Sequence, residues 1–405
     1  MDPLDVLMNK EKVIPYFQPI ISADKQEVVG YEVLARIMTS QGVKSLGWFF
    51  HDESIPYEYQ EEIEDHIQTL ALEYYINHDL EQFLCLNINI QSLLKDDGER
   101  LFTKLRAYES KGLFFEKIVL EIQESDYVEN YNNIKHLLVY IQNTGVRISI
   151  GGIDNATTNL ERMAVLKPSI VKVNVGFIEG DAFPELYRDV LHSLSSLTRK
   201  LGATLLFEKI DTYQKLNFAW KNGGRYYQGY YLSVPKAEFI EADFCKHSIR
   251  KEFHHFINYE RKKIESQLSL TETVGLRLKA TLKAVKSYGD FDAAVLSIAK
   301  ALTDLTFRVY ICDHDGFQQS SNAVKTENGD WTLEKESRSK NWSWRPYFLE
   351  NIVRMNYEKK GLLSDLYTDI EKDEMIRTYS YPIGEQLFLF IDIPYSYLYE
   401  KDGLL

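Results

Sequence analysis

The side chains in this chain most able to do chemistry are six polar residues on, or at the end of, short apolar runs: Glu32, Asn87, Glu121, Lys172, Glu208 and Gln228. Carboxylate and amide oxygens with no His or Cys among them favour hard divalent cations, namely Mg²⁺, Mn²⁺ or Ca²⁺. Such an ion suits a phosphate ester, because it binds the ester's oxygens and lowers the pKa of an attacking water. Lys172 would place a positive charge beside that water or the phosphate. A single Glu in a strand usually forms a structural salt bridge. The six residues in combination instead predict a site that binds a metal ion and a phosphate ester.

The series of polar residues has a gap at Gly151-Gly152. These two glycines follow the apolar run GVRISI, where a further metal-binding acid would be expected. Whether the chain is an enzyme therefore depends on what the two glycines do to the site.

The elements that must position these residues are short apolar strands, which alternate with amphipathic helical stretches between about residues 10 and 240. The segments 58–77, 130–145 and 181–202 have apolar residues at helical spacing, and a glycine ends each of the last two. Repeated strand and helix predict an α/β fold, a modified TIM (β/α)8-type barrel. The parallel strands of such a barrel bring their carboxyl ends to one face, so the six polar residues are expected to meet there.

The rest of the sequence predicts two further parts. Residues 241–305 are almost wholly helical and are expected to form a helical linker with a solvated face. Residues 306–405 hold strands at FRVYICD, IRTYSYPI and QLFLFIDIPY, a helix at YFLENIVRMNYEKK, and a hairpin turn at CDHDG rather than a calcium loop. The predicted domains are therefore a barrel over 1–240, a linker over 241–305 and an α+β domain over 306–405.

The composition is that of a folded protein with an acidic surface. The chain has 405 residues, of which 44% are hydrophobic and 26% charged, with a net charge of −13 at pH 7. Such a surface disfavours nonspecific binding of DNA or RNA, which needs clustered Lys and Arg. The three cysteines, Cys85, Cys245 and Cys312, are far apart and are expected to be buried, reduced thiols. No apolar run approaches the roughly 20 residues that span a bilayer, and no signal segment is present, so a soluble, cytoplasmic protein is expected.

Seven motifs within residues 12–240 make this chain resemble the EAL domain, a barrel that hydrolyses or binds the bacterial second messenger cyclic di-GMP. In chain order they are YFQPI (16–20), GYEVLAR (30–36), LNINIQSL (86–93), LEIQES (120–125), IVKVN (170–174), FEKID (207–211) and YYQGYYLSVP (226–235). GYEVLAR stands for the family's Glu-Ala-Leu signature and its following Arg, and YYQGYYLSVP for its Gln-Gly-Tyr end. The residues that depart from the family's Ala, Ser, Thr and Asp in these motifs are Val33, Asn89, Gln123 and Asn174.

The resemblance implies a role for each matching residue. The implied metal ligands are Glu32, Asn87 and Glu121. The implied catalytic residues, which orient or deprotonate the nucleophilic water and complete the metal network, are Lys172, Glu208 and Gln228. The implied contacts of cyclic di-GMP are Gln18, Glu32, Leu34, Arg36, Asn87, Lys172 and Gln228, with Arg36 as a charge-assisted partner of phosphate. Glu124 matches a glutamate that steadies the loop after the next strand.

That loop, residues 151–160, is where the chain departs most from the family. The family's Asp-Asp-Phe-Gly-Thr-Gly-Tyr-Ser-Ser-Leu corresponds to GGIDNATTNL, so both aspartates that hold the metal pair become Gly151 and Gly152. Two metal ions a few ångströms apart need acids on both to offset their mutual repulsion. Loss of these acids should therefore harm hydrolysis more than ground-state binding. Asp154 is the residue of this loop that would have to substitute.

Three functions are compatible with these observations. The favoured one is a receptor or regulator that binds cyclic di-GMP and a divalent cation, with weak or absent phosphodiesterase activity. The alternative is an active metal-dependent phosphodiesterase that yields the linear dinucleotide, with Asp154 or another acid covering the gap. The third is a scaffold that acts only through its dimer and its C-terminal module.

The C-terminal module loosely resembles PAS-like or Cache-like sensor domains over about residues 306–398. In such modules an Arg beside aromatic residues can clamp a small carboxylate ligand, and the residues placed to do so here are Trp344, Arg345, Tyr347 and Asp369. The other interpretation is that the aromatic residues are core and that Arg345 is in a structural ion pair. Such modules often dimerise through the adjoining helix, so a homodimer is expected.

Overall fold

The structure is a computed structural model that describes residues 2–52, 54–153, 160–176, 178, 185–284, 289–369, 373–384 and 386–402. The chain divides into two compact units, Met1–His254 and His255–Leu405. None of the helices in the described ranges combines the length and the apolar character that a membrane crossing requires.

The first unit is built on one sheet and the helices that connect its strands. Its described strands are β1 Val13–Ser22, β2 Val28–Thr39, β3 Gly42–Ser45, β4 Phe83–Asn87, β5 Ile118–Gln123, β6 Arg147–Ile153, β7 Ile170–Asn174, β8 Thr204–Glu208 and β9 Tyr226–Tyr227. Its described helices are α1 Pro3–Met8, α2 Gly47–His51, α3 Tyr57–Asn77, α4 Ile90–Lys95, α5 Glu99–Glu109, α6 Glu124–Glu129, α7 Tyr131–Asn143, α8 Leu160–Leu166, α9 Glu185–Leu201 and α10 Tyr213–Lys221.

The sheet closes into an eight-stranded barrel. The strand order is β1-β9-β8-β7-β6-β5-β4-β2, with β2 pairing back onto β1 and β3 attached as a hairpin to β2. Seven strands run parallel to one another, whereas β1 is antiparallel to both of its neighbours. The expected TIM-like barrel is therefore confirmed, and the departure from a regular (β/α)8 barrel is the reversed first strand.

Side chains alternate along each strand between the barrel interior and the surrounding helices. One interior layer is apolar and contains Ile20, Phe83, Cys85, Val119, Ile170 and Leu206, with Tyr226 packed against it. The next interior layer lies two residues further along the same strands and contains Asn87, Glu121, Lys172, Glu208 and Gln228. The apolar layer thus supports the polar residues from below, at the carboxyl ends of the parallel strands.

Residues 228–246, which we call the return segment, run back along the barrel after β9. Because β9 has only two residues, much of one edge of β1 would otherwise lack a partner. Lys236 fills this edge: the backbone N–H of Phe17 donates to its carbonyl at 2.7 Å, and its own N–H donates to Phe17 at 3.1 Å. Further on, the Tyr31 hydroxyl donates to the Ile240 carbonyl at 2.9 Å, and the Val28 N–H donates to the Ala242 carbonyl at 2.8 Å.

The second unit is an antiparallel sheet with helices on both faces. Its described strands are β10 Arg308–Asp313, β11 Asn322–Lys325, β12 Trp331–Glu334, β13 Leu362–Leu363, β14 Tyr367–Thr368, β15 Met375–Pro382 and β16 Leu387–Pro394. The helices are α11 Lys246–Ala284, which begins in the first unit, α12 Phe291–Ala301, α13 Pro346–Glu358 and α14 Tyr395–Asp402. The sheet order is β12-β11-β10-β16-β15-β13, with β14 paired to β15.

The two faces of this sheet pack against different helices. On one face, Val309 and Ile391 join a core to which α11 and α12 contribute residues such as Val274 and Ile298. On the other face, Tyr310, Phe388 and Phe390 pack on α13. The expected C-terminal α+β region is confirmed, and the helices from the segment predicted as a linker supply part of its core.

Candidate functional site

Lys172 lies at the centre of the polar layer. Its ammonium Nζ is 2.7 Å from Glu32 Oε2, 2.7 Å from Glu121 Oε2 and 3.6 Å from Glu208 Oε2. Lys172, Glu32 and Glu121 are buried, and the Glu208 side chain is 18% exposed. Three acids from β2, β5 and β8 therefore converge on one buried cation from β7.

Two amide side chains complete the environment of Glu32. Gln228, just after β9, donates from Nε2 to Glu32 Oε2 at 2.7 Å. Asn87, at the end of β4, donates from Nδ2 to Glu32 Oε1 at 3.2 Å and to the Val33 carbonyl at 3.3 Å. All six residues that the sequence singles out are thus brought together at one end of the barrel.

The surroundings shift the pKa values of the three central groups in different directions. Burial opposes the charged form of Glu32, but Lys172, Gln228 and Asn87 outweigh it and lower the pKa of this carboxyl. Burial raises the pKa of Glu121 to about 7; Lys172 opposes this rise, while the charges of Glu32 and Glu208 add to it. Burial also disfavours the Lys172 ammonium, but the nearby carboxylates prevail and raise its pKa well above the usual value. Lys172 is therefore a permanent cation at neutral pH.

The donor set of the site fits a hard divalent cation. Glu32, Glu121 and Glu208 each offer a carboxylate oxygen within 4.8 Å of the other two. Gln228 Oε1 is buried and has no hydrogen-bond partner among the described residues, so a further oxygen is available beside these acids. Oxygen ligands of this kind are those that Mg²⁺, Mn²⁺ and Ca²⁺ prefer. The residues present could therefore hold one such ion.

The two glycines at the end of β6 are covered by neighbouring side chains. A Cβ at Gly151 would lie 2.6 Å from Glu121 Oε1, and a Cβ at Gly152 would lie 2.5 Å from Gln123 Oε1. Gly152 also has φ of +75°, a left-handed conformation that disfavours other residues. The places where aspartate side chains would begin are thus taken by Glu121 and Gln123.

The remaining implied contacts of the dinucleotide lie on β1 and β2. Gln18 is the cross-strand partner of Glu32, is buried, and donates from Nε2 to the Ser233 carbonyl at 2.6 Å. Leu34 is half-buried on β2. Arg36 is also half-buried; its Nη1 donates to Ser45 Oγ at 3.0 Å, and its guanidinium lies 6.0 Å from the centre of the Tyr16 ring. Gln18, Leu34 and Arg36 lie on the strands β1 and β2. Of these three, Gln18 is the residue that pairs across the strands with a member of the polar layer, Glu32.

Two residues, Glu124 and Asp154, were predicted to support the loop that begins at Gly151 or to replace its missing acids. Glu124 is the first residue of α6, directly after β5. Asp154, the residue that would have to replace the missing acids, lies outside the described residues. The loop-steadying role of Glu124 and the substitution of the missing acids by Asp154 both stay predictions.

The sequence did not point to two further contacts of the site. The Cys85 thiol, in the apolar layer, donates to Glu121 Oε2 at 3.3 Å, and burial raises its pKa well above the usual value. Gln68 on α3 donates from Nε2 to the Asn87 carbonyl at 3.1 Å and to Glu64 Oε1 at 3.1 Å, so it braces the end of β4 from outside the barrel. Cys85 and Asn87 are two residues apart on β4 and so face the same side of the strand, which could have indicated the contact of the thiol. No local pattern indicates the contact of Gln68.

The four sensor residues predicted in the second unit are found in different settings. Trp344 is 65% exposed, and the Arg345 guanidinium lies 4.5 Å from the Trp342 ring centre and 5.7 Å from that of Trp344. Asp369 is buried and pairs with Arg308 at 2.6 Å. The side chain of Tyr347 lies outside the described part of the structure. Ligand binding at these residues stays a prediction.

Comparison with known families matches both units. The family model of the EAL domain matches residues 3–235, and that of an EAL-domain associated signalling protein domain matches residues 239–405. The second match is to a signalling domain that accompanies EAL domains, so a PAS-like or Cache-like class for residues 306–405 stays a prediction.

Individual relatives agree with these matches. The uncharacterized EAL-domain containing protein YkuI of Bacillus subtilis is 42% identical, with 100% of each chain covered. The crystal structure of that protein, in complex with substrate c-di-GMP and calcium, has a TM-score of 0.94 over 100% of both chains. The FimX EAL domain of Pseudomonas aeruginosa bound to c-di-GMP is 21% identical, with a TM-score of 0.51 over 60% of this chain and 100% of that one, and so shares the fold.

Proposed function

We propose, given that this chain belongs to the EAL-domain family, that its barrel binds cyclic di-GMP together with one divalent cation and hydrolyses it weakly or not at all. The observation that carries this proposal is the set of charges around Lys172. Glu32, Glu121 and Glu208 supply three negative charges and Lys172 returns one positive charge. When a bound cation keeps Glu121 ionised, the remainder balances one divalent cation in the site without nucleotide, whereas a second cation would need further negative charge, which the protein does not supply there.

The glycines at the end of β6 support the same conclusion. In the family, two aspartates at these positions hold the metal pair. Here neither position has a side chain, and Glu121 and Gln123 occupy the space above them. Mg²⁺, Mn²⁺ and Ca²⁺ all suit the remaining oxygen ligands, so the donor set does not select among the three.

Binding of the dinucleotide is supported by the residues of this chain that match the family's ligand contacts. Arg36 presents a guanidinium that suits a phosphate, and Gln18 and Leu34 lie on the two strands beside Glu32. The relative YkuI, 42% identical, was crystallised with c-di-GMP and calcium. We therefore infer that the ligand of this chain is the same dinucleotide.

The residues present favour holding the ligand over cleaving it. A bound divalent cation would neutralise phosphate oxygens and lower the pKa of a water. Lys172 can orient a water or a phosphate oxygen, but as an ammonium it has no lone pair with which to accept a proton. Transition-state stabilisation would lack the second cation, so affinity and turnover should separate.

The alternative, an active phosphodiesterase that yields the linear dinucleotide, is favoured by one observation. Lys172, Glu208 and Gln228, the implied catalytic residues, are all retained and lie together in the barrel. The third candidate, a scaffold without ligand binding, would require that this charged cluster has only a structural role.

The test is a paired measurement on the full chain. Cyclic di-GMP is titrated calorimetrically with Mg²⁺, Mn²⁺ or Ca²⁺, and the linear product is assayed in the same buffers. Micromolar binding that needs the cation, without product, is expected. Glu32→Gln should weaken cation binding, while Glu62→Gln, on an exposed residue of α3, serves as the matched control. Turnover near one per second, an ordinary enzyme rate, would instead establish the alternative.

The homodimer, the cytoplasmic location and a small-molecule ligand of the second unit remain predictions from the sequence. Light scattering of the purified chain measures the first, and a thermal-shift screen measures the last.

A further inference from the structure

We propose that Lys172 competes with the divalent cation for the carboxylates of Glu32, Glu121 and Glu208 and so sets the cation concentration at which the site fills. This inference rests on the proposed function, because it concerns how a residue of the proposed site affects the binding of the cation. It assigns Lys172 a role in cation affinity in addition to any role toward water or phosphate.

The first argument is that the ammonium and the cation would use the same three acids. The oxygens nearest the ammonium are Oε2 of Glu32, Glu121 and Glu208, at 2.7, 2.7 and 3.6 Å. The same three acids form the group whose ligand atoms lie within 4.8 Å of one another. An ion bound by these acids must therefore share them with the ammonium or displace it.

The second argument is confinement. Lys172 is 1% exposed and extends from β7 into the barrel interior, above the apolar layer that contains Ile170. Val119 and Leu206 in that same layer are apolar, and the Cys85 thiol of the layer donates to Glu121. A cation bound by these acids would therefore lie close to the ammonium, in a buried environment where like charges repel more strongly than in water.

A competing interpretation makes the opposite prediction. If Lys172 acts only as a structural clamp that holds the three acids together, its removal lets the acids repel one another and weakens cation binding. If Lys172 competes, its removal strengthens cation binding. The sign of the change in affinity therefore separates the two.

The experiment measures Ca²⁺ and Mn²⁺ affinity of the full chain by calorimetry at pH 8, without nucleotide. Lys172→Gln keeps donors for the acids but removes the charge, and Lys172→Met removes both. We expect Lys172→Gln to bind the cation about tenfold more tightly than the unaltered chain, or better, since one nearby positive charge is removed. The matched control is Lys215→Met, at another buried lysine of the barrel that pairs with Asp211 at 2.9 Å, and it should change affinity less than about twofold.

The outcomes separate this inference from the proposed function. Unchanged or weaker binding by a folded Lys172→Gln chain overturns the competition. If Lys172→Met is too unstable for calorimetry, its thermal unfolding is measured with increasing Ca²⁺. Its Tm should then rise more steeply with Ca²⁺ than that of the unaltered chain, and a shallower rise also overturns the competition. No cation binding by the unaltered chain would instead refute the proposed function, on which this inference depends.

Discussion

Restoring the two aspartates of the loop tests whether Gly151 and Gly152 prevent the binding of a second cation. Gly151→Asp and Gly152→Asp together should return that site, but only if the side chains above them move. At Gly151 the new Cβ meets Glu121 Oε1 at 2.6 Å, and at Gly152 it meets Gln123 Oε1 at 2.5 Å. Both obstacles are ends of side chains, so rotation can relieve them. Gln123→Thr, the residue type found in the family motif, removes the second obstacle outright.

The magnitude follows from two local costs. An Asp at φ of +75° costs about 1 kcal/mol relative to Gly, and forcing Gln123 off its rotamer costs up to about 1 kcal/mol more. Gly152→Asp alone should therefore lower stability by about 1–2 kcal/mol, which corresponds to a Tm lower by roughly 2–8 °C for a unit of this size. Adding Gln123→Thr should recover about half of this loss.

The assay combines thermal unfolding with cation stoichiometry of the full chain. Gly202→Asp is the matched control, since Gly202 has φ of +71° but nothing within 4 Å of its Cβ, and so reports the backbone cost alone. The triple variant should bind two divalent cations per chain, gain more Tm from added cation than the unaltered chain, and form more linear product. A folded triple variant that still binds only one cation would show that the two glycines do not limit the chain to one cation.

Three further predictions concern other parts of the molecule. Burial raises the pKa of Glu64 to about 8, so the folded chain holds a proton that the unfolded chain releases, and stability should fall as pH rises from about 4.5 to 8. Glu64→Gln should reduce the loss between pH 6 and pH 8 by about 2 kcal/mol in urea unfolding, and an unchanged slope would contradict this. Arg308→Met should destabilise the second unit by about 3–5 kcal/mol, because it leaves Asp369 and Asp392 buried without their cation; a loss below about 1 kcal/mol would exclude this. Arg345→Ala should abolish any thermal shift that a small carboxylate gives, and a retained shift would place that ligand elsewhere.

The sequence predicted the barrel well where strands carry an interior apolar layer. Runs such as KIVLEIQES show an apolar residue two positions before the polar one, and the structure gives Val119 and Glu121 this relation. The same spacing brought the six polar residues together. Strand direction is not encoded in such a pattern, so the reversal of β1 was not predicted.

The contacts that the sequence did not predict are made between elements that are far apart along the chain. Gln68 is one polar residue on an amphipathic helix, and only the packing of α3 on the barrel brings it to the Asn87 carbonyl. Asp369 was predicted as a residue of the sensor site, but its ion-pair partner Arg308 comes from a strand 61 positions earlier. Motif spacing cannot reveal such pairs, since the ion pair depends on the sheet order.

The return segment has a consequence for how the barrel can be separated from the rest of the chain. The EAL family model ends at residue 235, but the backbone bonds of Lys236 to Phe17 and of Ala242 to Val28 lie beyond that point. A chain shortened to residue 235 would leave the open edge of β1 to pair with another molecule. A chain shortened to residue 250 would keep that edge covered, and light scattering should find it less aggregated than the shorter piece. The pairing that closes the edge of β1 therefore extends past the last motif that resembles the family, and Lys236 and Ala242 contribute edge protection through their backbone alone.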